Sequence, residues 1–288
     1  LQAITLAGVF LTLAYHRWRP ARWLLGGVIV WAFAYYPTAR ALILGQMGLL
    51  VFTLTVLALW LVTGPEAGGP SQPARDLWTG ALLAITTVKP QMQFLMIPFI
   101  LLMAVLLIPS FMLWPTWVRE WLGQVRLYPS YTPPAVLYIL TREVLPLGTA
   151  AGPFEIILDV ALAGYLLFEW WRVLWLREGF RFDWVVGSTL VISHLTALRT
   201  ATTHYVVFLF PLIMFFRDLS RRKSWGTWAV VGIMLALAVG MWALFLATLD
   251  GDQEHNLVLV PLPLLMLALM IAIRPRARSG ATRQVVPV

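Results

Sequence analysis

The sequence predicts an all-α polytopic membrane protein, a bundle of about nine to ten transmembrane or re-entrant helices with one amphipathic helix in the interface. Three observations carry that prediction. Of the 288 residues 60% are apolar and 12% charged, where a soluble domain carries about 25% charged residues; there is too little polar material here to coat a surface facing water. The apolar residues gather in runs near the length of about 20 that crosses a bilayer. Lysine and arginine collect in alternate gaps between those runs, as they do in membrane proteins whose orientation is set by charge. The 15 tryptophans fit the same class, because indole rings favour the membrane–water interface.

In chain order, apolar runs at 1–14, 23–38, 43–63, 78–88, 91–113, 153–173, 184–199, 204–217, 226–249 and 257–273 predict helices, several of them short enough to be tilted or broken. No gap between them holds a water-soluble domain. Residues 1–273 therefore read as one transmembrane domain, and 274–288, with Arg274, Arg276, Arg278 and Arg283, as a disordered basic cytoplasmic tail. The chain opens LQAITLAGVF, without initiator Met, basic n-region or cleavage site. It reads as the interior of a longer membrane protein that lacks its N-terminal part here.

Orientation follows from the basic clusters. Arg17, Arg19 and Arg22 follow the first run, Arg172, Arg177 and Arg181 the sixth, and Arg217, Arg221, Arg222 and Lys223 the eighth. Placing these in the cytoplasm puts 114–152, 199–204 and 250–256 on the other side of a multi-pass cell-membrane protein. One region breaks the alternation. Loop 64–77 and segment 114–152 need an odd number of crossings between them, so either 78–88 is a re-entrant half-helix or a span is missing. Within 114–152, Trp117, Trp121, Val125 and Tyr128 recur at helical spacing, which predicts an amphipathic helix lying in the interface and ended by Pro133-Pro134.

The net charge of +8 is spread over short clusters, which fits topology and anionic headgroups and not nucleic acid. The absence of cysteine excludes disulfides and thiolate metal sites. There is no P-loop, zinc motif or nucleotide-binding glycine pattern, so no cofactor and no metal is expected.

Ionisable groups inside apolar runs are costly and mark function or internal pairing. Lys89, in TTVKPQMQ, precedes Pro90, which breaks a helix there; a cation at a helix break either holds an anionic ligand or snorkels to the interface. Gln46 opens an apolar helix after Gly45 and serves either a sugar hydroxyl or a helix cap. Arg40 reads as an interface anchor. The stretch SHLTALRTATTHYVVFLFP, 193–211, sets His194, Arg199 and His204 among five hydroxyl side chains. His194 is expected to pack between helices; Arg199 and His204 are expected at an outer turn. Asp250, Asp252, Glu254 and His255 offer hard-cation ligands, but a solvated turn is the simpler reading. Glu155 and Asp159 suit the first turn of a helix.

With these residues in view, the chain resembles glycosyltransferase family 87, polytopic transferases with the GT-C fold. The resemblance runs through Tyr36-Pro37, Gly45-Gln46, Gly80 with ALLAITTVKPQ, the Pro-Trp loop with YPSYT, and THYVVFLFP, and covers essentially all of the chain. It implies transfer of a sugar from a polyprenyl-phosphate-linked donor to a glycolipid or glycan acceptor of the cell envelope, on the extracytoplasmic side and with inversion. It also implies a carboxylate base in an outer loop that would precede Leu1, so no catalytic residue is carried over. Lys89 and Arg199 would bind the donor phosphate, and Gln46, His204 and Tyr205 the sugar. The region between the Lys-Pro helix and the Pro-Trp loop is shorter than the family's plan, where a truncated, non-catalytic member is one alternative. A transporter or flippase of a lipid or small solute is another, although it should carry inverted repeats and none stands out.

Overall fold

The computed structural model describes residues 1–63, 72–86, 111–127, 132–222, 225–249 and 254–275. Among them helix accounts for 83% and there is no strand, which fixes the all-α class. The principal helices are α1 (Gln2–Tyr15), α2 (Arg22–Ala34), α3 (Tyr36–Ile43), α4 (Gly48–Thr63), α5 (Gln72–Thr86), α6 (Trp117–Leu127), α7 (Ala151–Leu174), α8 (Phe182–Thr196), α9 (Leu209–Arg222), α10 (Gly226–Thr248) and α11 (Pro261–Ala272). Gly148–Leu174, Thr202–Arg221 and Gly226–Thr248 are each long and apolar enough to cross a membrane.

Burial sorts these three. The window of Thr202–Arg221 is 78% buried and forms the centre, whereas those of Gly148–Leu174 and Gly226–Thr248 are 11% and 22% buried and present apolar residues outward. Around the centre, α8 is buried from Trp184 to Leu195, and the 3-10 helix Thr202–Phe208, which leads into α9, is buried throughout. At the α1–α4 contact, Gly8 lets the helices touch: a Cβ there would lie 2.6 Å from Thr53 Oγ1, and that hydroxyl donates to the Ile4 carbonyl at 3.0 Å.

Several boundaries differ from the sequence expectation, among them the start of the run 43–63: helix α4 begins at Gly48, so Gln46 lies before it and does not open it. The run 23–38 is not one helix. Pro37 has no N–H for the carbonyl of residue 33, and the chain turns at Tyr35 (φ −57°, ψ 120°) before starting α3. The Trp242 indole donates to the Ala34 carbonyl at this break, at 2.9 Å. Likewise, helix α5 starts at Gln72, inside the stretch taken as loop 64–77; proline is compatible with a first helical turn, and Pro73 stands there. Helix 72–86 packs on α4, with Arg75 Nε donating to the Leu61 carbonyl at 3.0 Å, and at 15 residues it is about 22 Å long, short of a full crossing. The crossing count between 87 and 110 lies outside the described residues.

The amphipathic segment forms α6, and Pro115, Val118, Arg119, Leu122, Gly123 and Arg126 line a cavity of about 630 Å³ along it.

Contacts assign the two ends of the bundle. Tyr15, closing α1, donates to Asp183 at the start of α8 (2.7 Å) and accepts from Thr63 at the end of α4 (3.2 Å). Arg217 and Arg221 of α9 donate to the carbonyls of His16 and Arg17 (3.1 and 3.0 Å). The arginines of these gaps thus share one end, called the basic end below.

Candidate functional site

At the opposite end a polar cluster forms on Glu254. Its side chain is 6% exposed. The Tyr36 hydroxyl donates to Oε1 at 2.6 Å, and Thr202 Oγ1 lies 2.8 and 3.0 Å from the two carboxylate oxygens. Arg40 Nη1 donates to the Tyr36 oxygen at 2.7 Å and pairs with Glu254 at 3.2 Å. The reasons are local. Tyr36 and Arg40 are four residues apart on α3 and so stack on one face. Thr202 opens the 3-10 helix and Glu254 precedes α11. The Arg40 guanidinium also lies over the Phe245 ring, 5.6 Å from its centroid. Burial, and then the hydrogen bond to Glu254, push the Tyr36 hydroxyl above its ordinary pKa, so it remains a donor. Arg40 is therefore not simply an interface anchor, and the expectation of a solvated turn fails at Glu254.

The predicted site residues fall around this cluster unevenly. Gln46 follows α3 and takes part in its termination: Gly45 has φ +63°, and Gln46 N–H donates to the Ala41 carbonyl at 2.8 Å. That is a glycine-terminated helix end of the Schellman kind, which supplies the local reason for the Gly-Gln pair. His204 and Tyr205 lie inside the 3-10 helix and are buried, not at the lip of an outer turn. Three-residue periodicity aligns Thr202, Tyr205 and Phe208 in one row. Tyr205 stacks on Phe208 (centroids 5.2 Å apart) and donates its hydroxyl to the Leu259 carbonyl at 2.9 Å. Arg199 lies in the turn before that helix, half-buried, and donates to the Thr132 carbonyl at 3.0 Å. A bridge between Pro134 and Arg199 joins the same segments. Among the described residues no carboxylate pairs with Arg199. Lys89, Asp250 and Asp252 lie outside the described residues.

His194 packs within the core as expected. Its Nδ1 bonds the Leu190 carbonyl at 2.7 Å, and its ring lies against Phe208, Tyr205 and His204. Glu155 and Asp159 are not in the first turn of α7, which starts at Ala151 and holds no acidic residue there; Glu155 instead accepts from Thr141 Oγ1 (2.5 Å) and Arg142 Nε (3.2 Å), tying α7 to the segment before it.

A second cluster, at the basic end, centres on Glu169 of α7, which is 0% exposed. Arg181 Nη1 reaches it at 3.4 Å, Arg172 Nη1 at 3.9 Å, and Arg274 Nη2 hydrogen-bonds it directly. Glu178 adds a second carboxylate, 2.6 Å from Arg181 Nε and 2.9 Å from Arg172 Nη2. Arg274, the first residue of the predicted tail, is thereby attached to the bundle. At the same end, burial and then the Arg217 guanidinium lower the His16 imidazole to about 3, so it is neutral.

Tyr36, Thr202 and Glu169 were not singled out as site residues from sequence, and Glu254 was named only as a candidate hard-cation ligand in a stretch read as a solvated turn. Glu169 carried a readable signal, since it is a carboxylate inside the apolar run 153–173. Among the described residues no group of three or more His, Cys, Asp or Glu is arranged to hold a metal ion.

Against known protein families, curated proteins and solved structures, the chain gives no match.

Proposed function

We propose that this chain is a multi-pass membrane glycosyltransferase with a GT-C-like bundle, taking a sugar from a polyprenyl-phosphate donor to a glycolipid or glycan acceptor at the end opposite the basic clusters. The observation that carries the reading is the Glu254–Arg40–Tyr36–Thr202 cluster. It joins the element ending in Gly45-Gln46 to the one holding His204 and Tyr205, two of the segments that carry the family resemblance. The outward apolar faces of Gly148–Leu174 and Gly226–Thr248 support the membrane setting, and with the basic end in the cytoplasm the cluster is extracytoplasmic.

In this reading the acceptor hydroxyl attacks the anomeric carbon as the bond from that carbon to the phosphate oxygen breaks. Its proton passes to a carboxylate general base outside the residues assigned here. The departing phosphate keeps the bonding pair, and its charge is met by Arg199 and Lys89. Gln46 and His204 contribute to the sugar pocket. Tyr205, whose hydroxyl is engaged by Leu259, shapes that pocket from behind. Glu254 fixes the position of Arg40.

The test is reconstitution in liposomes with a radiolabelled polyprenyl-phosphate sugar and a glycolipid extract. Transfer is expected, falling at least about 100-fold in Lys89→Ala and Arg199→Ala, the scale for a lost charge stabiliser. Transfer undiminished in both variants sinks the assignment, and no transfer by the unaltered protein sinks the activity.

A further inference from the structure

We propose that the arginine cluster around Glu169 binds the phosphate headgroup of an anionic phospholipid in the leaflet at the basic end. The inference rests on the membrane reading above and is independent of glycosyl transfer. Arg172, Arg181 and Arg274 supply three positive charges against two negative charges from Glu169 and Glu178, so 3 − 2 leaves one positive charge in excess.

The cluster divides into an inner and an outer part. Glu169 and Arg181 side chains are 0% and 4% exposed, whereas Arg172 is 19% and Arg274 40% exposed. The inner pair fixes the geometry and the outer arginines face what lies beside the bundle. Among the described residues Arg274 gives Nη2 to Glu169, and no carboxylate pairs with its Nε or Nη1. A guanidinium with an open edge is suited to bidentate binding of phosphate oxygens. The rings of Tyr165 and Phe168, 5.6 and 5.8 Å from the guanidinium carbons of Arg274 and Arg172, hold these side chains in place.

The surroundings favour a lipid over a free anion. Glu169 lies five residues before the last residue of α7, about 8 Å along the axis, a depth suited to headgroups if α7 spans. Exposed Trp171, Trp175 and Phe180 flank the cluster, the aromatic composition of a membrane interface. Exposed Ile157 and Phe168 lie eleven residues apart on one face of α7, and that face leads to Arg172. The row offers acyl chains an apolar surface directly below the phosphate position.

The experiment uses the full chain purified in a neutral detergent, with thermal unfolding followed by tryptophan fluorescence and bound lipid counted by native mass spectrometry. Phosphatidylglycerol is expected to raise the midpoint and stay bound, while phosphatidylcholine and inorganic phosphate do neither. Arg274→Gln should weaken phosphatidylglycerol binding about fivefold, the scale for one arginine near a lipid surface, with Arg172→Gln giving the same result should Arg274→Gln fail to fold. Equal binding of phosphatidylcholine, or stabilisation by inorganic phosphate alone, overturns the lipid assignment. An equal loss in Arg221→Gln, at the same end but outside the cluster, overturns the location. Extraction from membranes by alkaline carbonate without detergent would instead sink the underlying membrane reading, and absent glycosyl transfer leaves the lipid result standing.

Discussion

Glu169 and Glu254 are both withdrawn from solvent at opposite ends of one bundle, and they are satisfied by different chemistry. Glu169 gathers arginines from α7, the turn before α8 and the end of α11, with Glu178 sharing two of them. Glu254 gathers two hydroxyls, from α3 and the 3-10 helix, and one arginine. The first assembly is held by charge and is intolerant of losing any one sign. The second is held largely by neutral donors, so its carboxylate is replaceable by another acceptor of the same shape. One end is thus tied by buried ion pairs and the other by a hydroxyl-rich cluster around one carboxylate.

The widest separation between the two ends is expected from deleting each carboxylate. Glu169→Ala leaves Arg181 buried with Glu178 alone, and breaking a buried pair costs about 3–5 kcal/mol. Unfolding in detergent should show that loss; a loss no greater than that of Glu254→Ala would erase the distinction drawn here. Glu254→Ala removes the acceptor from Tyr36 and Thr202 and should cost about 1–3 kcal/mol. Glu254→Gln keeps an acceptor oxygen and should recover most of it, whereas Glu169→Gln should recover little. Equal recovery at both sites would show that charge is not what separates them.

The smallest effect is graded by pH. The His16 pKa is lowered on folding to about 3 from about 6.5. The folded state therefore disfavours its protonation, and this stability is fully present above about pH 6.5 and declines as pH falls towards 3. The loss should be about 2 kcal/mol by pH 5 and should shrink in His16→Asn. The raised Tyr36 pKa acts in the other direction: its contribution is present below about pH 10 and is lost above it, and Tyr36→Phe should remove it. Acid should thus loosen the basic end around His16, as hydrogen exchange resolved by region would show; unchanged protection there as pH falls from about 7 to about 5 would contradict it.

How much of this was legible depends on distance along the chain. Helices α7 and α10 follow from apolar runs, and their bounds, Ala151–Leu174 and Gly226–Thr248, lie within two residues of the predicted 153–173 and 226–249. The break at Tyr35 was also local, since Pro37 was in view, yet the predicted run 23–38 was carried past it. The Gly45-Gln46 pair left two readings open, and the positive φ of Gly45 explains the capping one. Glu254 was out of reach for a different reason: its partners Tyr36 and Thr202 are 218 and 52 residues away. No local spacing announces such a meeting, and a polar run between two apolar ones defaults to a solvated loop. Glu169 was the reverse case, because a carboxylate inside an apolar run demands a partner even when the partner cannot be named.

The 3-10 helix Thr202–Phe208 also changes the length of the segment it begins. Each of its seven residues advances about 2.0 Å in place of the 1.5 Å of an α-helix, a gain of about 3.5 Å over the stretch. Thr202–Arg221, 20 residues long, then reaches about 34 Å where a uniform α-helix would reach about 30 Å. Each residue that passed from one helical form to the other would change the reach by about 0.5 Å and the azimuth by about 20°. The 3-10 stretch therefore lengthens the central segment without added residues and sets the azimuth at which Thr202 meets Glu254.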